Sequence, residues 1–313
     1  IELESAIIQA DETATLQAKD AIDILAVNNL DYLDSKGTKK KSWGRSKTVR
    51  NMSYKESVVA TSIDAKNINI NSDKEVTLEA VKLKADENII VDAKENLNVV
   101  AKEYKEGELH YTKKKGFGGL SKSVSLNKLD NLNLKEAKLQ TEALNIILKS
   151  GKDINIIASD ITSAADVQLE AFDKLLIAAG EELSQSEKFK KKTRFNPLGV
   201  LNIVGIDAGP IYTQEINKNK KYDTQLKQTN ITAGNNFNAD TGSTRVLGAN
   251  IQAQNDITIT SDIDSVEILA AQEVKEASKL NKKVEIKLAN LFDIATSVAQ
   301  QPIDIIKGVG SED

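Results

Sequence analysis

The chain contains no cysteine and a single histidine, His110. The first absence excludes disulfides and thiolate metal sites, and the second leaves no imidazole cluster for zinc or for a nucleophilic triad. Aromatic residues make up 4% of the 313 positions and proline occurs three times. Such a chain fills its interior with Ile, Val, Leu and Ala in thin layers, not with the bulky core of a compact enzyme. No apolar run approaches the roughly 18 residues that cross a bilayer as a helix. The net charge is −4, so any attraction for an anionic partner has to be local, and nucleic acid is not an expected partner. The chain opens at Ile1 with neither an initiator Met nor a signal-peptide pattern, and is expected to be a piece of something longer.

What the chain does contain is repetition. Short segments alternate apolar and polar residues and close on alanine: Val76-Thr77-Leu78-Glu79-Ala80, Val81-Lys82-Leu83-Lys84-Ala85, Ile89-Ile90-Val91-Asp92-Ala93 and Leu97-Asn98-Val99-Val100-Ala101. The phrase returns as Val167-Gln168-Leu169-Glu170-Ala171, Ile251-Gln252-Ala253 and Val266-Glu267-Ile268-Leu269-Ala270. A period of two is the signature of a strand with one buried and one wet face. Ala80 to Ala101 spans 21 residues, as do Ala158 to Ala179 and Ala249 to Ala270, so one coil takes about 21 residues and three short strands. The connections are too short for βαβ crossovers and hold few hairpin dipeptides. A parallel solenoid meets both limits, because each coil supplies backbone partners to the next. Asn and Asp at the bends (Asn67, Asn71, Asp86, Asn96, Asn235, Asn255, Asp256) suit tight corners.

A longer period lies over the coils. Lysine-rich excursions recur at Lys39-Lys40-Lys41-Ser42-Trp43-Gly44-Arg45-Ser46-Lys47, at Lys113-Lys114-Lys115-Gly116-Phe117-Gly118-Gly119-Leu120-Ser121-Lys122 and at Lys190-Lys191-Lys192-Thr193-Arg194-Phe195-Asn196-Pro197-Leu198-Gly199, with a degenerate copy at Lys282 to Lys287. The alanines that close the preceding rungs, Ala26, Ala101, Ala179 and Ala270, are 75, 78 and 91 residues apart. The first two excursions are predicted to be β-hairpins projecting from the solenoid. The third is longer and carries an apolar stretch, Leu198 to Ile206, that folds back or meets a partner. In the tail, Leu288 to Val309, apolar residues at Leu288, Leu291, Phe292, Ile294, Ala295 and Val298 have helical spacing and predict a short amphipathic helix broken near Pro302. The reading is therefore all-β: one β-helix repeat region over residues 1–313, with excursions at about 27–60, 102–140, 181–228 and 271–313.

Ile231-Thr232-Ala233-Gly234-Asn235-Asn236-Phe237-Asn238-Ala239, continuing to Ile251-Gln252-Ala253-Gln254-Asn255-Asp256-Ile257-Thr258-Ile259-Thr260, resembles the hemagglutinin repeats of filamentous-hemagglutinin-like exoproteins. The Lys-Lys-Ser-Trp-Gly-Arg-Ser-Lys excursion is similar to the repeat type in which a basic insertion interrupts the helix. The resemblance covers nearly the whole chain and implies a right-handed parallel β-helix. It also implies secretion through an outer-membrane partner of the two-partner type, a location at the bacterial cell surface or outer membrane, and flanking repeats in the same polypeptide. The implied roles are adhesion to a target-cell envelope or receptor, or engagement of a target bacterium's membrane for delivery of a toxin in contact-dependent inhibition. Rungs here favour Ala and Lys where many relatives carry Gly.

The strongest local signal is charge: Lys36 to Arg50 holds seven basic residues and no acid, and no acid falls between Glu108 and Asp130. Two readings stand beside each other. In one, the tips contact an acidic envelope surface, the candidate contact residues being Lys39, Lys40, Lys41, Trp43, Arg45, Lys113, Lys114, Lys115, Phe117, Lys190, Lys191, Lys192, Arg194 and Phe195. In the other, the lysines solubilise hairpin edges and block edge-to-edge pairing, while the aromatics pin each hairpin to the solenoid flank. His110 reads as a solvated or packed residue. Gly116-Phe117-Gly118-Gly119 lacks the Lys-Ser/Thr of a phosphate loop, and the Gly-Gly-x-Gly-x-Asp spacing of calcium solenoids is missing. No cofactor, metal or catalytic residue is expected. A polysaccharide-active β-helix enzyme is the remote alternative, since near-equivalent repeats offer no single groove with paired carboxylates.

Overall fold

The alternating rungs stack as the sequence leads one to expect, in a computed structural model that describes residues 1–204, 207–261 and 266–287. The helix expected over Leu288 to Val309 lies outside the described residues. Three parallel ladders run along the solenoid. One joins Glu2–Glu4, Ile22–Leu25, Val76–Glu79, Leu97–Val100, Ile154–Ile157 and the later halves of Val167–Ala178 and Phe237–Leu247, ending on Val266–Leu269. A second runs from Ile7 through Ser62, Lys82–Ala85, Lys138–Thr141, Asp160–Ser163 and Asn230–Ala233 to Asn250–Ala253. The third passes through Asn67, Ile89–Ala93, Ile146–Ser150, Val167, Phe237 and Ile257.

Every second residue of these rungs points inward, so the apolar halves of the alternation meet in one continuous core. Ile22, Ile24, Ile63, Leu83, Ile89, Leu97, Ile146, Leu148, Ile154 and Ile156 are fully buried. Each such side chain contributes about 1.5–3 kcal/mol, and the total is spread evenly along the stack. Where Phe237 takes the position stacked on Val167, Ala239 takes that on Leu169, and the small residue makes room for the large one.

The corners are specialised. Between the second and third faces a side-chain ladder climbs the solenoid: Asn67 Oδ1 accepts the Asn88 backbone N–H at 3.2 Å, Asn88 Oδ1 that of Asn145 at 3.2 Å, and Asn145 Oδ1 that of Asp166 at 3.0 Å. Asp166 then accepts from Asn236 at 3.0 Å and Asn236 from Asp256 at 3.3 Å. Half-buried corner N–H groups are thereby given acceptors from coil to coil. Asn67 and Asp256 were among the bends read from the sequence; Asn88, Asn145, Asp166 and Asn236 were not.

The corner between the first and second faces alternates between two forms. Without an insertion, a single left-handed residue turns it: Ser5 (φ 49°), Ala80 (φ 46°), Ala158 (φ 48°) or Gly248 (φ 61°). In the intervening coils the chain leaves at the same corner as a hairpin: Val27–Lys40 with Ser46–Val59, Lys102–Lys115 with Ser121–Lys135, and Gly180–Phe195 with Tyr212–Lys227. Where the first and third hairpins return, Thr61 and Thr229, both fully buried, donate to the carbonyls of Leu25 and Ala178. They accept from the backbone of Ala6 and Ser159 in the neighbouring coils.

The hairpins are not separate projections. They join edge to edge, Ser46–Val59 pairing with Lys102–Lys115 and Ser121–Lys135 with Gly180–Phe195. Tyr212–Lys227 in turn pairs with Lys275–Ile286, completing a seven-stranded antiparallel sheet. The physical reason is a match of spacings. Strands in a sheet lie about 4.7–4.9 Å apart, and so do stacked coils. One two-stranded hairpin for every two coils fills the available height without gap or crowding. The seam between the first two hairpins is locked at Gly107: a Cβ there would lie 2.7 Å from a ring carbon of Tyr54. Tyr54 crosses that bare position and donates to Asp130 Oδ1 at 3.1 Å, in the far strand of the second hairpin.

Candidate contact surface at the hairpin tips

Because the strands run in register, the fourteen basic and aromatic positions singled out from the sequence fall in one band along the outer edge of this sheet. Successive pairings place Lys39, Lys47, Lys114, Ser123, Lys192, Glu215 and Lys283 in a single row on one face. One residue further along each strand, Lys40, Ser46, Lys115, Lys122 and Thr193 form the next row on the opposite face. On that same opposite face, Lys113 and Lys191 flank Val124. The band is therefore basic on both sides. Lys190 lies two rows inward, and Arg194 lies opposite Ser121 and Thr213 near the third tip. Lys192 is 3.5 Å from Glu215, and Lys283 is 2.8 Å from Glu285, so the positive excess is greatest over the first two hairpins.

The lysines accompany edge-to-edge pairing and do not block it. Their side chains leave the two faces of the sheet, while the in-plane backbone groups of adjoining hairpins remain free to bond. The aromatics likewise do not pin hairpins to the solenoid. Trp43 stacks on Phe117 with ring centroids 5.4 Å apart and planes 27° apart. The Gly118 N–H donates to the Trp43 carbonyl at 3.0 Å, tying the first tip to the second. The Phe195 N–H donates to the Leu120 carbonyl at 2.7 Å, tying the second to the third. Trp43 turns the first tip in left-handed backbone, φ 61°, followed by Gly44 at φ 68°. A bulky side chain is rare there and costs about 1–2 kcal/mol. Arg45 reaches back to the Ser42 carbonyl within the same turn.

At the third tip two asparagines turn toward the backbone and three apolar side chains face out. Asn202 is buried, donates to the carbonyls of Gly199 and Gly209 at 2.7 Å each, and accepts the Ala208 N–H at 3.1 Å. Asn196 donates to the Ala208 carbonyl at 2.8 Å. Leu198, Val200 and Leu201 point outward instead, with Leu198 63% exposed. Gly199 packs against the Ile211 backbone, where a Cβ would lie 2.7 Å from the Ile211 Cα. The first part of the apolar stretch, Leu198 to Leu201, thus lies exposed at the third tip.

At the opposite, inner end of the sheet a second charged cluster holds the hairpin roots. The Glu136 carboxylate, only 11% exposed, lies 3.0 Å from Lys138, 3.2 Å from Lys227 and 3.9 Å from Lys135. Burial alone would raise its pKa, but its own backbone N–H and the ammonium groups of Lys138 and Lys227 outweigh that and bring it down to about 2. Sequence reading misses this cluster, because its members come from two different excursions.

Among the described residues no group of three or more His, Asp or Glu is placed to hold a metal ion. An open groove of about 570 Å³ runs across the sheet past Asp130, Glu187, Tyr222 and Glu276. Asp130 is engaged there by Tyr54, and Glu187 lies 3.3 Å from Lys218. His110 shares hydrogen bonds with Asn51 and Thr112 on the polar face of the sheet. Among the described residues no helix is long and apolar enough to cross a membrane.

A family model described as hemagglutinin repeat matches residues 41–140, 118–197 and 211–299. Searches of curated proteins and of solved structures return no match.

Proposed function

Since the chain belongs to the hemagglutinin-repeat family and is a filamentous-hemagglutinin-like adhesive repeat segment, we propose that it serves as a stiff, non-enzymatic spacer. It would sit in a large exoprotein exported by two-partner secretion, with the outer edge of the hairpin sheet touching another cell's envelope. The observation that carries this reading is the coincidence of two spacings. One hairpin per two coils lines up the tips, so that Lys39, Lys47, Lys114 and Lys192 form one row. A row of like charges held by a rigid sheet costs stability through repulsion, and an anionic surface recovers that cost.

Evenly distributed stacking energy suits a spacer, because no single contact is critical and each coil adds about 4.8 Å of reach. The expected partners are an outer-membrane exporter, the flanking repeats of the same polypeptide and an acidic target surface. Export itself is expected to place the protein at the bacterial surface. Delivery of a toxin during contact-dependent inhibition is a second reading, favoured by the outward Leu198, Val200 and Leu201 of the third tip.

Binding of the fluorescently labelled 313-residue chain to whole Gram-negative cells tests the proposal. The parent is compared with a variant carrying Lys39→Ser, Lys40→Ser, Lys41→Ser and Trp43→Ser. Salt-sensitive binding that the variant loses is expected. No binding, or binding untouched by the four changes, contradicts the tip edge as the contact surface.

A further inference from the structure

Three properties of the tip edge point to one chemistry. First, the edge presents a line of exposed apolar side chains: Trp43 (70% exposed), Phe117, Leu120, Phe195, Leu198 and Val200. Second, Asn196 and Asn202 of the third tip bond its own backbone while Leu198, Val200 and Leu201 face out, Asp207 being the exposed polar side chain beside them and paired with Lys287. A loop folding for its own sake places these groups the other way round. Third, lysines stand on both faces of the sheet within a few residues of the tips. At about 3.4 Å per residue, that is the depth separating the acyl boundary from the headgroups of a bilayer.

We propose that the tip edge docks on an anionic lipid surface, with Leu198, Val200, Leu201 and Trp43 entering the boundary between headgroups and acyl chains. The two-sided lysine band settles on the headgroup phosphates. This rests on the reading of the tips as the contact edge and names what they touch. Charge complementarity alone would suit any polyanion, an acidic polysaccharide included. Outward Leu and Val select the bilayer, because a hydrated polysaccharide offers them no apolar sink, whereas a lipid interface takes up both the aliphatic side chains and the amphipathic indole. A two-sided band also fits a sheet standing edge-on in a surface, where phosphates surround it, better than a sheet lying face-down on a polymer.

The test uses the whole chain and protein-free vesicles, one set of phosphatidylcholine only and one containing phosphatidylglycerol. Trp43 is the only tryptophan in the sequence, so its emission reports insertion without a label. The parent is compared with a Leu198→Ser, Val200→Ser, Leu201→Ser variant and with a Lys39→Ser, Lys114→Ser, Lys192→Ser variant. All six positions lie in the tip band, and far-ultraviolet circular dichroism confirms that each variant retains its strands. Expected results are on the order of tenfold or more tighter binding to the anionic vesicles, a blue shift of Trp43 emission on binding, and a loss of at least about tenfold in the Leu/Val variant. The lysine variant should lose its preference for anionic lipid. Absence of vesicle binding, an unshifted Trp43 spectrum, or a Leu/Val variant that binds like the parent overturns the proposal. Tip-dependent binding to cells that persists without vesicle binding leaves the contact edge in place and rejects lipid as its target.

Discussion

Replacing Glu136 by Gln keeps the side chain's shape and removes its charge, and the structure sets both the size and the pH window of the effect. The carboxylate pKa falls from 4.5 to about 2 in the folded protein. A depressed carboxylate contributes stability that is fully present above the unfolded value and is lost as pH falls through the folded one. The contribution is therefore present above about pH 4.5 and gone near pH 2. Each pKa unit corresponds to about 1.4 kcal/mol, so the ceiling is about 3 kcal/mol. Glu136 is half-buried and still partly screened by water, so the effect is expected to fall below that ceiling. Other carboxylates titrate across the same range, so the informative quantity is the difference between parent and Glu136→Gln, measured by urea unfolding between pH 7 and pH 2. The parent is expected to lead by about 1–2 kcal/mol at pH 7, with the lead shrinking below pH 4.5 and nearly gone at pH 2. A difference that does not change with pH would refute the assignment of Glu136 as the charged clasp of the hairpin roots.

Two further expectations concern the solenoid. Leu148→Ala, deep in the core, should cost about 2–5 kcal/mol through lost burial and a residual cavity, read as a lowered thermal midpoint; a loss below about 1 kcal/mol would mean that coils close up around the gap. Asn145→Ala orphans the Asp166 N–H it now accepts at 3.0 Å and should cost about 1–3 kcal/mol. Asn145→Asp keeps the acceptor, as Asp166 does one coil on, and should lie closer to the parent in the same melt.

The solenoid was legible because its signal is local. Period-two alternation in Val76 to Ala101 and the 21-residue spacing of alanines report burial within a few residues of each position. The lysine triplets marked the excursions for the same reason. The merging of the excursions into one sheet was not legible, since Thr48 meets Lys113 and Ser125 meets Lys190 across more than sixty residues. No strong alternation marks such pairs, because few of the hairpin side chains are buried. Left-handed Ala80 and Ala158 were also hidden: alanine carries no preference for that backbone, and the stacking of adjacent coils imposes it. The outward set of Leu198, Val200 and Leu201 was visible only as an apolar run, and its direction depends on Asn202 turning inward.

The central claim is that the hairpins form one sheet because two strands match two coils, and the absence of cysteine allows a direct test. Cysteines placed at Ser53 and Glu108, which face each other across the seam between the first two hairpins, have backbones about 4.5–5.5 Å apart, within reach of a disulfide. Mild oxidation of the Ser53→Cys, Glu108→Cys double variant should give an intramolecular bridge in nearly all molecules, detectable as a thiol count of zero and a shifted mobility that reduction reverses. Free thiols persisting under oxidation, with the strand content unchanged, would mean that the hairpins stand apart and that the lined-up tips do not exist in solution.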